Sequence, residues 1–297
     1  MTSKPTGNST RNPSDGAAKC GVSIADIVKD GGRFGFLLIH RLGGRPADVG
    51  YVAVGLAHAG YSVNCPLLYG HGGSRVLLAA TTWREWYGSV GAAHDALTAR
   101  CDTVVVGGLG VGAMLALELA IERRPDVHGL VLFAPTFWPN GWAMPWYGNA
   151  LKLMGSKRLA NLFRLDERPP FGIKDDVLRG ELLEQQAGDG RPLDDVLGRS
   201  GGTLLEVKWL AAHIKPRFGQ VTQPCLIFHP RFDDRSALSA SQDLQKALGG
   251  VVDLIVLDDS YHLVTLDRQR DLVLERVLEF AVGLPELIAP LNPEQVD

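Results

Sequence analysis

Apolar residues along the chain follow two patterns that alternate from about residue 36 onward. Residues 36–40 (FLLIH) form an apolar run closed by Gly35 and by Gly43-Gly44, as in a strand buried on both faces. Between residues 48 and 59, Val49, Val52, Leu56 and Ala59 recur at helical spacing, and Gly60 stands where a helix ends. The same alternation predicts a strand at 61–65, a helix from the Thr81-Thr82 cap through Ala99, and a strand at 103–106. A helix to about Glu122, with Pro125 beyond its end, and a strand at 127–134 follow. Strand–helix alternation of this kind builds an α/β fold, a doubly wound and mostly parallel sheet with helices on both faces.

From Pro135 the pattern breaks. Residues 136–215 are rich in Trp, Pro, Gly and Arg and show no strand run, which predicts an inserted, mainly helical cap. The alternation resumes with a strand at 225–229, a helix at 237–248, a strand at 252–257 and a last helix from about 265 to 282. The organisation expected is a disordered tail at 1–21, a core made of 22–135 and 216–284, the cap at 136–215, and a loose tail at 285–297.

Between the strand at 103–106 and the helix after it lies a glycine-rich turn, Gly107-Gly108-Leu109-Gly110-Val111-Gly112-Ala113. Gly108, Gly110 and Ala113 fit the G-x-G-x-x-[GA] dinucleotide fingerprint. That fingerprint belongs to the first strand of its unit, with an acidic residue closing the next strand. Here three strands precede the turn, and the next one closes on Phe133-Ala134-Pro135. The same turn also has the small flanking residues of a G-x-S-x-G elbow, after which an acid and a histidine follow in that chain order. His229-Pro-Arg-Phe-Asp233-Asp234 and Asp258-Asp-Ser-Tyr-His262 each close a later strand. Upstream, His40-Arg-Leu-Gly-Gly-Arg-Pro46 has the form of an H-G-x-x-G-x-P loop.

With Gly70-His-Gly-Gly-Ser74, the Thr81-Thr-Trp-Arg-Glu-Trp86 helix start and Gly141-Trp-Ala-Met-Pro-Trp146, these residues make the chain resemble bacterial carboxylesterases and monoacylglycerol-lipase-like enzymes of the α/β-hydrolase superfamily, over about residues 34–283. The resemblance implies Asp233 and His262 as the acid and base, and the backbone N–H groups of Leu42 and Val111 as the oxyanion hole. It puts Gly110 at the nucleophile position and Arg41 where the family carries the glycine of H-G. Glycine has no atom that can attack a carbonyl, so the acyl-enzyme route is closed. Arg41 either turns away or stands in the pocket mouth as a fixed positive charge.

Three functions stay open at this point. The chain is a hydrolase homologue without its nucleophile that binds a small apolar or acyl ligand, offering the elbow N–H groups to a carboxylate or other anion. Alternatively, it is an enzyme that uses the His262–Asp233 pair on a water or a substrate proton. The third is a dinucleotide binder, which the strand order disfavours. Arg41, Trp138, Trp142 and Trp146 are the candidate ligand-lining residues.

Charge and composition narrow the classes further. Thirty basic residues balance 33 acidic ones without a basic block, which argues against nucleic acid as a partner. Four cysteines, Cys20, Cys65, Cys101 and Cys225, lie far apart, so no disulfide framework, metal site or cofactor is expected. The polar first twenty residues lack a signal-like apolar stretch, and a cytoplasmic protein is expected. The single membrane-span candidate, 103–121, holds four glycines and Glu118 and reads as a strand plus a buried helix.

Overall fold

The computed structural model describes residues 26–188 and 198–288. In chain order the first half comprises β1 (Ile27–Lys29), β2 (Phe34–Ile39), α1 (Gly50–His58), β3 (Ser62–Cys65), α2 (Arg75–Ala80), α3 (Trp83–Thr98), β4 (Thr103–Leu109), α4 (Val111–Glu122) and β5 (Gly129–Phe133). The second comprises α5 (Lys157–Ala160), β6 (Arg164–Asp166), α6 (Asp176–Gly188), β7 (Gly198–Ser200), α7 (Gly201–Ile214), β8 (Cys225–Pro230), α8 (Leu238–Ala247), β9 (Val252–Leu257) and α9 (Arg270–Ile288).

Seven strands form one sheet in the order β1-β3-β2-β4-β5-β8-β9, parallel throughout except at β1, which pairs antiparallel to β3. The unbroken apolar runs have a direct cause in this sheet. Leu37, Ile39, Val104, Val106, Leu130 and Leu132 pack on one face with α3, α4 and α7. Their neighbours Phe36, Leu38, Val105, Val131 and Phe133 point the other way and pack with α1 and α9. Side chains alternate along a strand, so a strand covered on both faces is apolar at every position. The helix α3 starts where the sequence predicts: Thr82 and Glu85 cap each other reciprocally.

Three features differ from the sequence expectation. β1 adds an edge strand of only three residues, two of them exposed, with no apolar run to announce it. The segment between β5 and β8 carries, besides short helices, a two-stranded antiparallel ribbon of β6 and β7, with Leu165 opposite Arg199. Each of those strands is three residues long and mostly polar, so neither shows a strand pattern. The last helix begins later and runs further, to Ile288, through Pro285. Leu284 is fully buried in the core, and that anchor holds the helix through a residue that cannot donate a backbone hydrogen bond. The tail expected at residues 1–21 lies outside the described residues; of the tail expected at 285–297, residues 285–288 continue the last helix and the rest lies outside them.

The loops that leave the carboxyl ends of β2, β4, β5, β8 and β9 carry Arg41, Gly110, Thr136, Asp233 and His262 in that order. Open parallel sheets bind ligands at this edge. No helix among the described residues is long and apolar enough to cross a membrane.

Candidate active site

The turn from β4 into α4 is built on three glycines with two different reasons to be glycine. A Cβ on Gly108 would lie 2.3 Å from the carbonyl of Gly112, and one on Gly112 would lie 2.4 Å from the carbonyl oxygen of Ile39. Backbone occupies both places, so only glycine fits. Gly110 differs. It takes φ +59° and ψ −110°, its N–H donates to Phe133 O at 2.9 Å, and its carbonyl accepts from Thr136 N at 3.2 Å. That positive φ is a conformation side-chain-bearing residues rarely adopt. A Cβ there would meet side chains and no backbone: His262 Nε2 in a tight contact at 3.2 Å, Thr136 Oγ1 at 3.7 Å and Arg41 Cβ at 3.8 Å.

His262 and Asp233 meet from loops after different strands. His262 Nδ1 lies 2.8 Å from Asp233 Oδ2. A carboxylate accepts, so the ring carries its proton on Nδ1 and presents the Nε2 lone pair toward Gly110. The other oxygen of Asp233 accepts from the backbone N–H of Arg235 (2.7 Å) and of Ser236 (3.0 Å). Burial alone would raise the Asp233 carboxyl, but His262, His229 and these donors outweigh it and hold it below the ordinary carboxylate range. Asp234 serves the loops instead, accepting from Gly172 N at 2.8 Å and from His262 N at 3.3 Å. His229 is a second neighbour of Asp233, with Nε2 at 3.5 Å from Oδ2.

Gly110 and His262 open onto a cavity of about 70 Å³. One end is apolar, lined by Pro139, Met144, Leu165, Leu204 and Val207. The other is lined by Arg41, Arg199, Arg235 and Glu167. Arg235 holds Glu167 through two hydrogen bonds of 2.9 and 2.6 Å. Arg199 approaches the same carboxylate at 3.1 Å, and Arg41 stands further off at 3.7 Å. Although burial opposes ionisation of Glu167, the three guanidiniums prevail and pull its carboxyl down to about 2. Burial, with Arg41 and Arg235 nearby, lowers Arg199 to about 10.

Of the residues predicted from sequence, Arg41, Leu42, Gly110, Val111 and His262 all line this cavity, with Asp233 directly behind His262. Val111 opens α4, so its N–H is among those a helix leaves without an intrahelical acceptor. Two of the expected tryptophans are elsewhere. Trp142 is 61% exposed, packs edge-on against Tyr261 and donates to Phe232 O. Trp138 packs against the small cluster of Leu151, Leu165 and Leu204. The Trp142 indole N–H is drawn out to the Phe232 carbonyl, and Trp138 backs the aliphatic side chains that fill the cavity wall. The side chain of Trp146 lies outside the described residues.

Sequence reasoning missed Thr136, Glu167, Arg199 and Arg235. Arg235 carried a visible signal, since it directly follows Asp233-Asp234 in the acid loop. Glu167 and Arg199 sit on β6–β7 surroundings with no periodicity, and nothing local marks them as partners. Other candidate nucleophiles are engaged or remote: Ser74 caps α2, Ser89 accepts from Tyr69 N, and burial pushes the thiols of Cys65 and Cys225 far up. Among the described residues no group of three or more His, Cys, Asp or Glu side chains is placed to hold a metal ion.

Comparison with known proteins agrees with this geometry at the level of the family. A thermostable monoacylglycerol lipase of Bacillus sp. strain H-257 is 30% identical over 253 residues, which span 84% of this chain and 91% of that protein. One of the metagenome-derived lipolytic enzymes LipS and LipT superposes with a TM-score of 0.72 at 24% identity, covering 88% of this chain and 98% of its own. The monoacylglycerol lipase of Paleococcus ferrophilus superposes with 0.71 at 15% identity, covering 89% and 100%. At such identities the two structures establish the shared fold. The model of the family described as serine aminopeptidase S33, Hydrolase_4, matches residues 35–269, and the chain belongs to that family of the α/β-hydrolase superfamily.

Proposed function

We propose that this is a lipase- and esterase-like α/β hydrolase in which Gly110 occupies the nucleophile position, so that serine acyl-enzyme catalysis is lost and binding of a small apolar or acyl ligand remains. One observation carries the reading: the residue at the β4–α4 elbow with φ +59°, 3.2 Å by its absent Cβ from His262 Nε2, is a glycine. Leu42 and Val111 flank it as the oxyanion-hole backbone, and Asp233 with His262 supplies the acid and base. Removing a triad serine costs on the order of a millionfold in turnover.

A second reading has its own support, namely the intact 2.8 Å contact between His262 and Asp233. A base so oriented can take a proton from a water, giving slow general-base hydrolysis of an already reactive ester. The dinucleotide reading has no such support, because β5 closes on the buried Phe133 where an acidic residue is needed.

Turnover of short and medium p-nitrophenyl esters by the native chain and by Gly110→Ser tests the proposal. Background-level turnover of the native chain and a gain of at least about a hundredfold in the variant are expected, since a single triad member is restored. Esterase-level turnover by the native chain contradicts it.

A further inference from the structure

The cavity is amphipathic in a way that neutral esters do not require. Three guanidiniums line one end, and of the acidic groups among the described residues only Glu167 lines it with them. The other acids nearby stand behind the wall: Asp48 accepts from Arg45 N, Asp233 is held by His262, and Asp234 holds two backbone N–H groups. Glu167 is shared unequally. Arg235 and Arg199 lie close to it, while Arg41 is buried and lines the cavity, yet its Nε and Nη1 make no hydrogen bond. They have only ion-pair contacts, to Asp48 at 3.2 Å and to Glu167 at 3.7 Å. A buried guanidinium whose N–H groups lack acceptors favours an added anion. Arg41 lines the same cavity as Gly110 and Val111, the first residue of α4, and negative charge is favoured at a helix start.

A cavity of about 70 Å³ accommodates on the order of five waters, equivalent to roughly 150 Å³ of liquid. That suits the first few carbons of a chain along Met144, Leu165, Leu204 and Val207.

We propose that the site selects aliphatic carboxylates, with Arg41 and the Val111 N–H holding the ionised head group and the aliphatic wall taking the chain. The proposal rests on the reading of the site as a binding site without a nucleophile. It assigns Arg41 the role of distinguishing an acid from its ester or alcohol, a role in which a planar donor fork outperforms a point charge.

Titration calorimetry of the native chain with hexanoate, methyl hexanoate and hexan-1-ol tests it. Hexanoate is expected to bind at least about tenfold more tightly than either neutral analogue, the size of one charge-assisted contact. Arg41→Met is expected to abolish that preference while hexan-1-ol binding is kept. If Arg41→Met does not fold, Arg41→Lys is expected to fold and to reduce the preference without removing it. Equal affinity for acid and alcohol in the native chain, or an undiminished preference in a folded Arg41 variant, overturns the proposal. The same preparation is assayed with p-nitrophenyl butanoate. Esterase-level turnover there defeats the nucleophile-free reading on its own, and the affinity ratio still decides the carboxylate preference.

Discussion

The two halves of the site are preserved for different reasons, and the contrast explains how one could be lost without the other. On the β8–β9 side, the groups behind the cavity wall also hold the loops together. Asp233 accepts two backbone N–H groups besides His262, Asp234 ties the backbone of Gly172 to that of His262, and the loop after β9 closes on Asp267. Removing any of these leaves buried polar groups unsatisfied. On the β4–α4 side, Gly108 and Gly112 are required by backbone on backbone, but the position between them supports nothing else. A side chain there bears strain of roughly 1–3 kcal/mol, which only catalysis justifies. On the proposed reading, a hydrolase released from the need to hydrolyse would keep its acid and base for folding and relax at the elbow.

The contrast breaks most visibly at Gly112. Gly112→Ala drives a methyl group into the Ile39 carbonyl and is expected to cost more than about 4 kcal/mol or to prevent folding, as read by urea denaturation. A mild effect there would mean that the elbow glycines are not a backbone requirement.

Next is Glu167, whose loss removes the carboxylate that three buried guanidiniums share. Glu167→Gln is expected to destabilise by about 3–5 kcal/mol. The linkage has a definite sign. The carboxyl is depressed from 4.5 to about 2, so its contribution is complete above pH 4.5 and is lost as pH falls from there through about 2. Acid unfolding followed by circular dichroism should show this loss in the native chain, with a shallower fall between those pH values in Glu167→Gln.

Gly110→Ser is expected to cost only about 1–2 kcal/mol in stability, since its Cβ meets the movable ring of His262 and no backbone. Thermal unfolding of this variant beside Gly112→Ala compares the two kinds of elbow glycine directly. The smallest effect belongs to Trp142→Ala. With most of its indole in solvent, it should change stability by less than about 1 kcal/mol and leave ligand affinity unaltered in calorimetry.

Much of this was legible in the sequence, and the limits have physical causes. Strands buried on both faces announce themselves as apolar runs, so β2, β4, β5, β8 and β9 and the helices between them could be read within a few residues. Gly110, Asp233 and His262 could be placed because each closes or follows such a strand, where position along the chain fixes position in space. The β6–β7 ribbon could not be read, because three polar residues carry no period. Glu167 meets Arg41, Arg199 and Arg235 from three other segments of the chain, and long-range ion pairs leave no local trace. The tryptophans misled for a related reason. Aromatic richness marks a segment that packs, without saying whether a given ring faces the cavity, the interior of that segment or solvent.

Intact-protein mass after incubation with a fluorophosphonate probe tests the central claim most directly, because the probe forms a bond only with an activated nucleophile at this edge of the sheet. The account predicts an unmodified native chain and a single adduct on Gly110→Ser, located to residue 110. An adduct on the native chain, at any side chain facing the cavity, would contradict it.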